Sequence, residues 1–291
     1  MIPDHPLRRA LPLILFAGLC FASLDATAKY LVMTHGLLLV VWARYTGQMV
    51  VSTPIAWKRG GPGFWRTRHL RIQLVRSLCL VIATACFFGG LRFLPLAEAS
   101  AITFLAPMFA IVFSGPVLGE RPTRARWLSA IGGFVGVVLL IRPGSAVFHP
   151  ATALLVLAAI SNAFYQLLTR KVPGDSAHTT LFYSGLVGTI VLSIIMAATG
   201  GFHFELTAHE TLLFMLLGCL AGLGHFCLIG AFLRAPASLV APFTYVHMVW
   251  ATLYGYFIFG QLPDGLSALG MAVIVASGVA LVWHERRRNR A

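Results

Sequence analysis

Gly119-Glu120-Arg121-Pro122, with Leu128-Ser129-Ala130-Ile131-Gly132 close behind it, returns later in the chain as Gly260-Gln261-Leu262-Pro263 and Leu266-Ser267-Ala268-Leu269-Gly270. Pro95 and Pro236 are separated by the same offset as the first match. The chain is therefore built on an internal repeat. In both copies the matched stretch joins two long apolar segments. Working outward from it, such segments fill most of the 291 residues, at roughly 11–33, 36–57, 72–93, 95–118, 127–142, 151–169, 178–199, 211–233, 236–259 and 266–284. A bilayer core about 30 Å thick takes roughly 20 apolar residues in a helix to cross. In hydrocarbon the backbone must satisfy its own hydrogen bonds, so helices are the expected form. The fold class read from this is all-α integral membrane, with ten transmembrane helices. The fifth span looks short. The links at 34–35, 94 and 234–235 are tight enough to force helical hairpins, and Pro95 and Pro236 sit where a helix can start.

Segments four and five match nine and ten, so the repeating unit is five spans. Five is odd, and the second copy must therefore cross the membrane upside down: two inverted five-helix repeats, residues 1–145 and 146–291. The charges agree. The 58–71 link carries five basic residues, whereas its counterpart near 200–210 carries none and holds Glu205 and Glu210. Of the 22 Lys and Arg, 17 fall on one side if the N-terminus starts in the cytoplasm; only Arg92 and Arg142 fall on the other, and Lys29, Arg44 and Arg76 lie within spans. Basic residues mark cytoplasmic loops. Both termini are therefore expected inside.

Composition excludes other classes. Apolar residues make up 58% and charged residues 11% of the chain, against about 25% charged in soluble domains. The net charge of +13 is scattered in short clusters between spans, not gathered on a basic domain, so no nucleic-acid partner is expected. Cys20, Cys79, Cys86, Cys219 and Cys227 sit inside spans without metal-ligand spacing and read as small hydrophobes. Arg8 and Arg9 before an apolar run imitate a secretory signal, but the run continues past Ala26-Thr27-Ala28, so an uncleaved first span is expected. There is no phosphate-binding Gly-rich loop with Lys-Ser/Thr, no His-Glu-x-x-His, no nucleophile elbow and no filter-like ring motif. No enzyme activity, cofactor or metal is expected.

Leu105-Ala106-Pro107, then Leu118-Gly119-Glu120, then the Gly132/Gly133/Gly136 segment resemble the hallmark stretch of EamA-type transporters of the drug/metabolite transporter superfamily. Asp25-Ala26-Thr27-Ala28-Lys29-Tyr30 and Trp42-Ala43-Arg44-Tyr45 are similar to that family's first repeat. The second copy departs from it, with Gln261 where the first has Glu120 and no basic residue matching Lys29 or Arg44. The resemblance implies a carrier of amino acids, nucleotide-linked metabolites, vitamins or drugs in the bacterial cytoplasmic (inner) membrane. Amino-acid export, aromatic amino acids included, is the expectation taken forward. S-adenosylmethionine, riboflavin and drugs are the alternatives. The partners implied are a small-molecule substrate and the lipid bilayer, with the chain working as a monomer.

Inverted-repeat transporters hold substrate near midplane between the halves. Asp25 and Lys29 are four apart on one helix face, and Arg44 lies at a similar depth in span two. Charges so deep are costly and face a cavity or each other. They read either as an Asp25–Lys29 or Asp25–Arg44 clamp, or as cavity residues meeting a substrate carboxylate or amine, for which the planar fork of Arg is suited. Asn162 and Gln166, equivalent in place to Asp25 and Lys29, either join helices or bind ligand. His225 and His247 are midplane histidines, for packing or for substrate and proton. Tyr245 and Trp250 offer aromatic walls or plain packing. Arg76 is expected to snorkel to the cytoplasmic surface. Glu98 is expected to pair with Arg92, and Glu120 to close the hairpin beside Arg121 and Arg124. With Asp25 the only acid deep in a span, facilitated or exchange transport is expected over strict proton coupling.

Overall fold

A computed structural model describes residues 6–144, 148–172, 174–202, 205–235 and 240–288. The expected boundary between residues 145 and 146, and Pro236, lie outside the described residues. Among the described residues eleven α-helices follow in order: α1 (Pro6–Thr34), α2 (Leu37–Gly60), α3 (Leu70–Leu91), α4 (Leu96–Thr103), α5 (Leu105–Leu118), α6 (Arg124–Ile141), α7 (Thr152–Arg170), α8 (Ala177–Ala198), α9 (Ala208–Arg234), α10 (Val246–Phe259) and α11 (Gly265–Arg288). A 3-10 turn, Ala241–Tyr245, precedes α10. These pieces make ten spans, the fourth from α4 and α5 and the ninth from the 3-10 turn and α10. Large apolar side chains such as Ile194, Leu233 and Phe257 point outward and are exposed, as a lipid-facing surface requires.

Local chemistry fixes several helix ends. Thr123, Ser176 and Thr207 cap α6, α8 and α9 by accepting from the backbone N–H three residues on. Thr207 and Glu210 form a reciprocal capping box. α5 and α10 end alike, on Gly119 and Gly260 with φ of 72° and 64°. There only glycine avoids a Cβ clash. In each, the glycine N–H bonds four residues back, and the next residue (Glu120 or Gln261) bonds six back.

The fourth and ninth spans are interrupted, whereas the sequence reading made each continuous. The fourth breaks at Phe104. Pro107 lacks the N–H that would bond the Thr103 carbonyl, and its ring crowds that carbonyl, so the helix shifts register there. The offset relating Pro95 to Pro236 relates Phe104 to Tyr245, where the ninth span breaks. The two rings stack on each other, centroids 4.8 Å apart and planes 25° apart.

That stack marks a two-fold relation between the halves. The contacts α1·α9, α2·α9 and α1·α10 have images in α7·α3, α8·α3 and α7·α5, while α2·α8 and α6·α11 map onto themselves. Ten spans place both described ends on one face of the bundle, together with the 61–69 link. The stretches 199–202 and 205–207 lie on the opposite face. Small residues let the halves approach. A Cβ on Gly218 would lie 2.4 Å from the Gly47 Cα, and one on Gly136 would lie 2.7 Å from the Gly270 carbonyl oxygen. Backbones in contact maximise dispersion where lipid offers no hydrophobic drive. Ser129 Oγ donates to the Ser277 carbonyl at 2.9 Å beside the Gly136–Gly270 crossing.

Candidate functional site

Between the halves lies a cavity of about 790 Å³, within the range of small-molecule sites. Asp25, Arg44, Asn162, Gln166, His225 and His247 all line it. Helical spacing explains part of this: Asn162, Tyr165, Gln166 and Thr169 repeat at three and four residues along α7 and share its cavity face. Phe21, Phe87 and Phe104 supply flat apolar walls. The lining continues past Thr169 to Arg170, at the end of α7 on the face that carries the chain ends.

Asp25 pairs with neither Lys29 nor Arg44. It accepts from His247 Nε2 at 2.9 Å, which ties α1 to the first turn of α10 across 222 residues of sequence. Lys29 is turned away from the cavity. Its Nζ donates to the carbonyls of Leu91 (2.9 Å) and Leu94 (2.5 Å), at the frayed end of α3, and lies 5.3 Å from the Phe259 ring centroid. Those carbonyls lack helical donors and attract an ammonium. Lys29 thus ties α1 to the end of α3, on the face opposite Arg170.

Arg44 is 6% exposed, and its Nη1 has no hydrogen-bond partner among the described residues. Its guanidinium lies 4.5 Å from the Tyr45 ring centroid. A buried cation without an acid is costly unless a ligand or solvent in the cavity meets it. His225 Nδ1 donates to the Ala221 carbonyl at 2.8 Å, leaving Nε2 as the free nitrogen. Phe21 meets the His225 ring edge-on at 5.1 Å. Tyr245 stands behind the wall, stacked on Phe104. Trp250 is off the cavity, and its Nε1 has no partner among the described residues.

Three further expectations are corrected. Arg76 does not snorkel. It is fully buried, donating to Gln73, Thr169, Thr180 and Ser184, with its guanidinium 4.6 Å from the Tyr165 ring centroid. Those acceptors come from α3, α7 and α8 and replace the water it would have sought. Glu98 accepts from Ser267 Oγ at 3.0 Å rather than pairing with Arg92, because α4 packs on α11 there. Glu120 pairs with Arg170 (2.5 Å) on α7 and more distantly with Arg126 (3.9 Å) on α6, so it bridges to the other half as well as across its own hairpin, through Arg126 rather than Arg121 or Arg124.

The two faces are thus held differently. On the face bearing the chain ends, Glu120–Arg170 and Arg126–Glu285 (2.7 Å) cross between halves. On the opposite face Arg142 binds Asp264 and Ser267, and His35 pairs with Glu210 at 2.8 Å. Asp264 lies outside the spans. The hydrogen bond from Arg142, followed by that from the Ser267 amide, pulls its pKa down to about 2.

A cavity at the seam of two oppositely threaded helical units, with a few polar side chains set among apolar walls, fits the architecture of a secondary transporter. The EamA-like transporter family model matches residues 8–142 and again 149–283. The chain belongs to that family, within the drug/metabolite transporter superfamily. It is 30% identical over 264 residues to an S-adenosylmethionine uptake transporter of Rickettsia bellii, covering 90% of this chain and 89% of that one. It is 28% identical over 294 residues to a riboflavin transporter of Vibrio cholerae, covering 99% and 97%. A solved structure aligns with TM-score 0.62 and 20% identity over 92% of this chain and 96% of its own, which speaks to the fold alone.

Proposed function

We propose that this transporter carries zwitterionic metabolites with an amino-acid head and an aromatic body across the bacterial cytoplasmic membrane. Transport is by alternating access, with both termini in the cytoplasm and one chain as the working unit. Each of the segments 1–145 and 146–291 acts as one rocking half. One observation carries the substrate class: Arg44, buried in the cavity wall with an unbonded guanidinium nitrogen, shares that cavity with the Asp25 carboxylate. A carboxylate suits the fork of Arg44, an ammonium suits Asp25, and a planar body suits Phe21 and Phe104. Asn162, Gln166 and the free His225 Nε2 supply neutral hydrogen bonds to the remainder. S-adenosylmethionine has this layout, and the Rickettsia bellii relative is named for its uptake. Aromatic amino acids are smaller members of the same class, and their export is the same step run outward. Riboflavin is the second reading, favoured by the relative that spans nearly the whole chain. No bond-making chemistry is proposed for the site.

The test is ligand binding to the purified protein, with S-adenosylmethionine, an L-amino-acid panel and riboflavin, followed by flux into liposomes. Arg44→Gln should weaken the amino-acid-headed ligands about 10- to 100-fold, the loss of one charge-assisted contact. Riboflavin affinity should be unaffected. Binding of riboflavin alone, or indifference of S-adenosylmethionine to Arg44→Gln, would overturn the zwitterion reading.

A further inference from the structure

Asp25 is 6% exposed, and its side chain meets an imidazole rather than a permanent cation. Both members of the pair line the cavity. We propose that the Asp25–His247 pair is an exchange site, where a positive group of the substrate and a proton on His247 exclude one another. Each cationic head that binds then releases one proton. This rests on the zwitterion reading and adds to it a pairing that the sequence, which offered Lys29 or Arg44 as the partner of Asp25 and His247 separately for substrate or proton, did not contain.

The balance is simple. In the empty cavity the imidazolium donates Nε2–H to Asp25 Oδ2 and supplies the counter-charge that a buried carboxylate needs. An arriving ammonium donates an N–H to the same oxygen. Two cations cannot share one buried carboxylate without a large like-charge cost. His247 therefore gives its Nε2 proton to cavity water and turns that lone pair to the substrate as an acceptor. One positive charge enters and one leaves.

The neighbours do not take over this role. Lys29, one turn along α1, is bound to the carbonyls of Leu91 and Leu94. Arg44 on α2 keeps its charge at any working pH. His225 on α9 has Nδ1 bound to the Ala221 carbonyl. Tyr254 on α10 shares a hydrogen bond with Ser23 at 2.8 Å. Glu98 on α4 is bound to Ser267 at the opposite face. The placement of His247 also links the exchange to movement. It stands two residues past the break at Tyr245, and a Cβ on Gly18 of α1 would lie 3.4 Å from its backbone nitrogen. Releasing Asp25 from His247 removes the tie between α1 and the ninth span nearest its interruption, leaving the Ser23–Tyr254 bond further along α10.

The experiment measures S-adenosylmethionine affinity of the detergent-purified full chain between pH 5.5 and 7.5, with proton release followed by a pH dye in weak buffer. Affinity should rise up to tenfold per pH unit at the acid end, with up to one proton released per ligand bound. His247→Gln should bind with a flat pH profile and no release. Riboflavin, without an ammonium, should release none from the unaltered protein. A flat profile in the unaltered protein would overturn the proposal, as would a slope that survives His247→Gln and disappears in His225→Gln. If His247→Gln fails to fold, His247→Asn and the riboflavin comparison decide the same question. Binding of no amino-acid-headed ligand would instead sink the zwitterion reading, so the two failures are distinguishable.

Discussion

Gly218→Ala adds one methyl group at the closest crossing between the halves. The new Cβ would lie 2.4 Å from the Gly47 Cα and 2.6 Å from the Gly47 carbonyl carbon. Carbon atoms rest at about 3.5–4.0 Å. Both obstructing atoms are backbone, so no rotamer change relieves the clash. α2 and α9 must separate by about 1 Å or more, opening the small-residue contact that helices in lipid depend on. Overpacking of this kind costs about 1–3 kcal/mol. Gly222→Ala, one turn on, meets the end of a side chain, Val51 Cγ1 at 2.9 Å, and should cost less. Gly36→Ala has nothing within 4 Å of its new Cβ and serves as the control. Thermal unfolding in detergent should rank the variants Gly218→Ala least stable, Gly222→Ala next and Gly36→Ala unchanged. Gly47→Ala should resemble Gly218→Ala, and the double variant should cost less than the two singles added, because one separation accommodates both methyls. Equal stability of Gly218→Ala and Gly36→Ala, or strict additivity at the crossing, would refute the backbone-contact argument.

Arg76→Leu removes the shared donor to Gln73, Thr169, Thr180 and Ser184 in a buried site and should cost about 1–3 kcal/mol, read as loss of monodisperse protein on size-exclusion chromatography; Arg76→Lys should recover only part, since an ammonium lacks the fork that reaches α3, α7 and α8 together. Asp264 has its folded pKa lowered to about 2, below the unfolded value near 3.9, so its contribution to stability is complete above that unfolded value and disappears as pH falls toward 2. The stability gap between unaltered protein and Asp264→Asn should therefore stay constant from about pH 5 to 8 and shrink below about pH 4; a gap that grows on acidification would contradict the assignment. Lys29→Met removes the donor to the Leu91 and Leu94 carbonyls, and maleimide labelling of Phe259→Cys in a background free of other cysteines should rise several-fold; unchanged labelling would show that Lys29 does not hold α1 to the end of α3.

The ten spans and their inversion were legible because apolar length and charge placement are local properties of the chain. The matched Gly119 and Gly260 even announced the two identical helix ends. The interruptions of spans four and nine were half-legible. Pro107 lies one turn beyond Phe104 and is a sufficient signal for the first, but Met248 holds the corresponding place in the second copy. Six of the nine candidate side chains reach the cavity, since depth and helix face follow from position. Which charge meets which did not follow. Asp25 and His247 are far apart in sequence, and helical spacing favoured Lys29, which instead answers carbonyls at the end of a helix that no pattern places beside it. Arg76 was misread for the same reason: its acceptors on α7 and α8 are brought to it by packing alone.

The frame of this protein is symmetric, but its cavity walls are not. Asn162 holds the place of Asp25, and the offset that superposes Phe104 on Tyr245 puts Ala106 where His247 stands. An acid and an imidazole thus look across the hollow at an amide and a methyl group. A passenger there has one way round rather than two. Handedness in the cargo becomes readable, because mirror-image molecules can no longer present the same groups to the same sides.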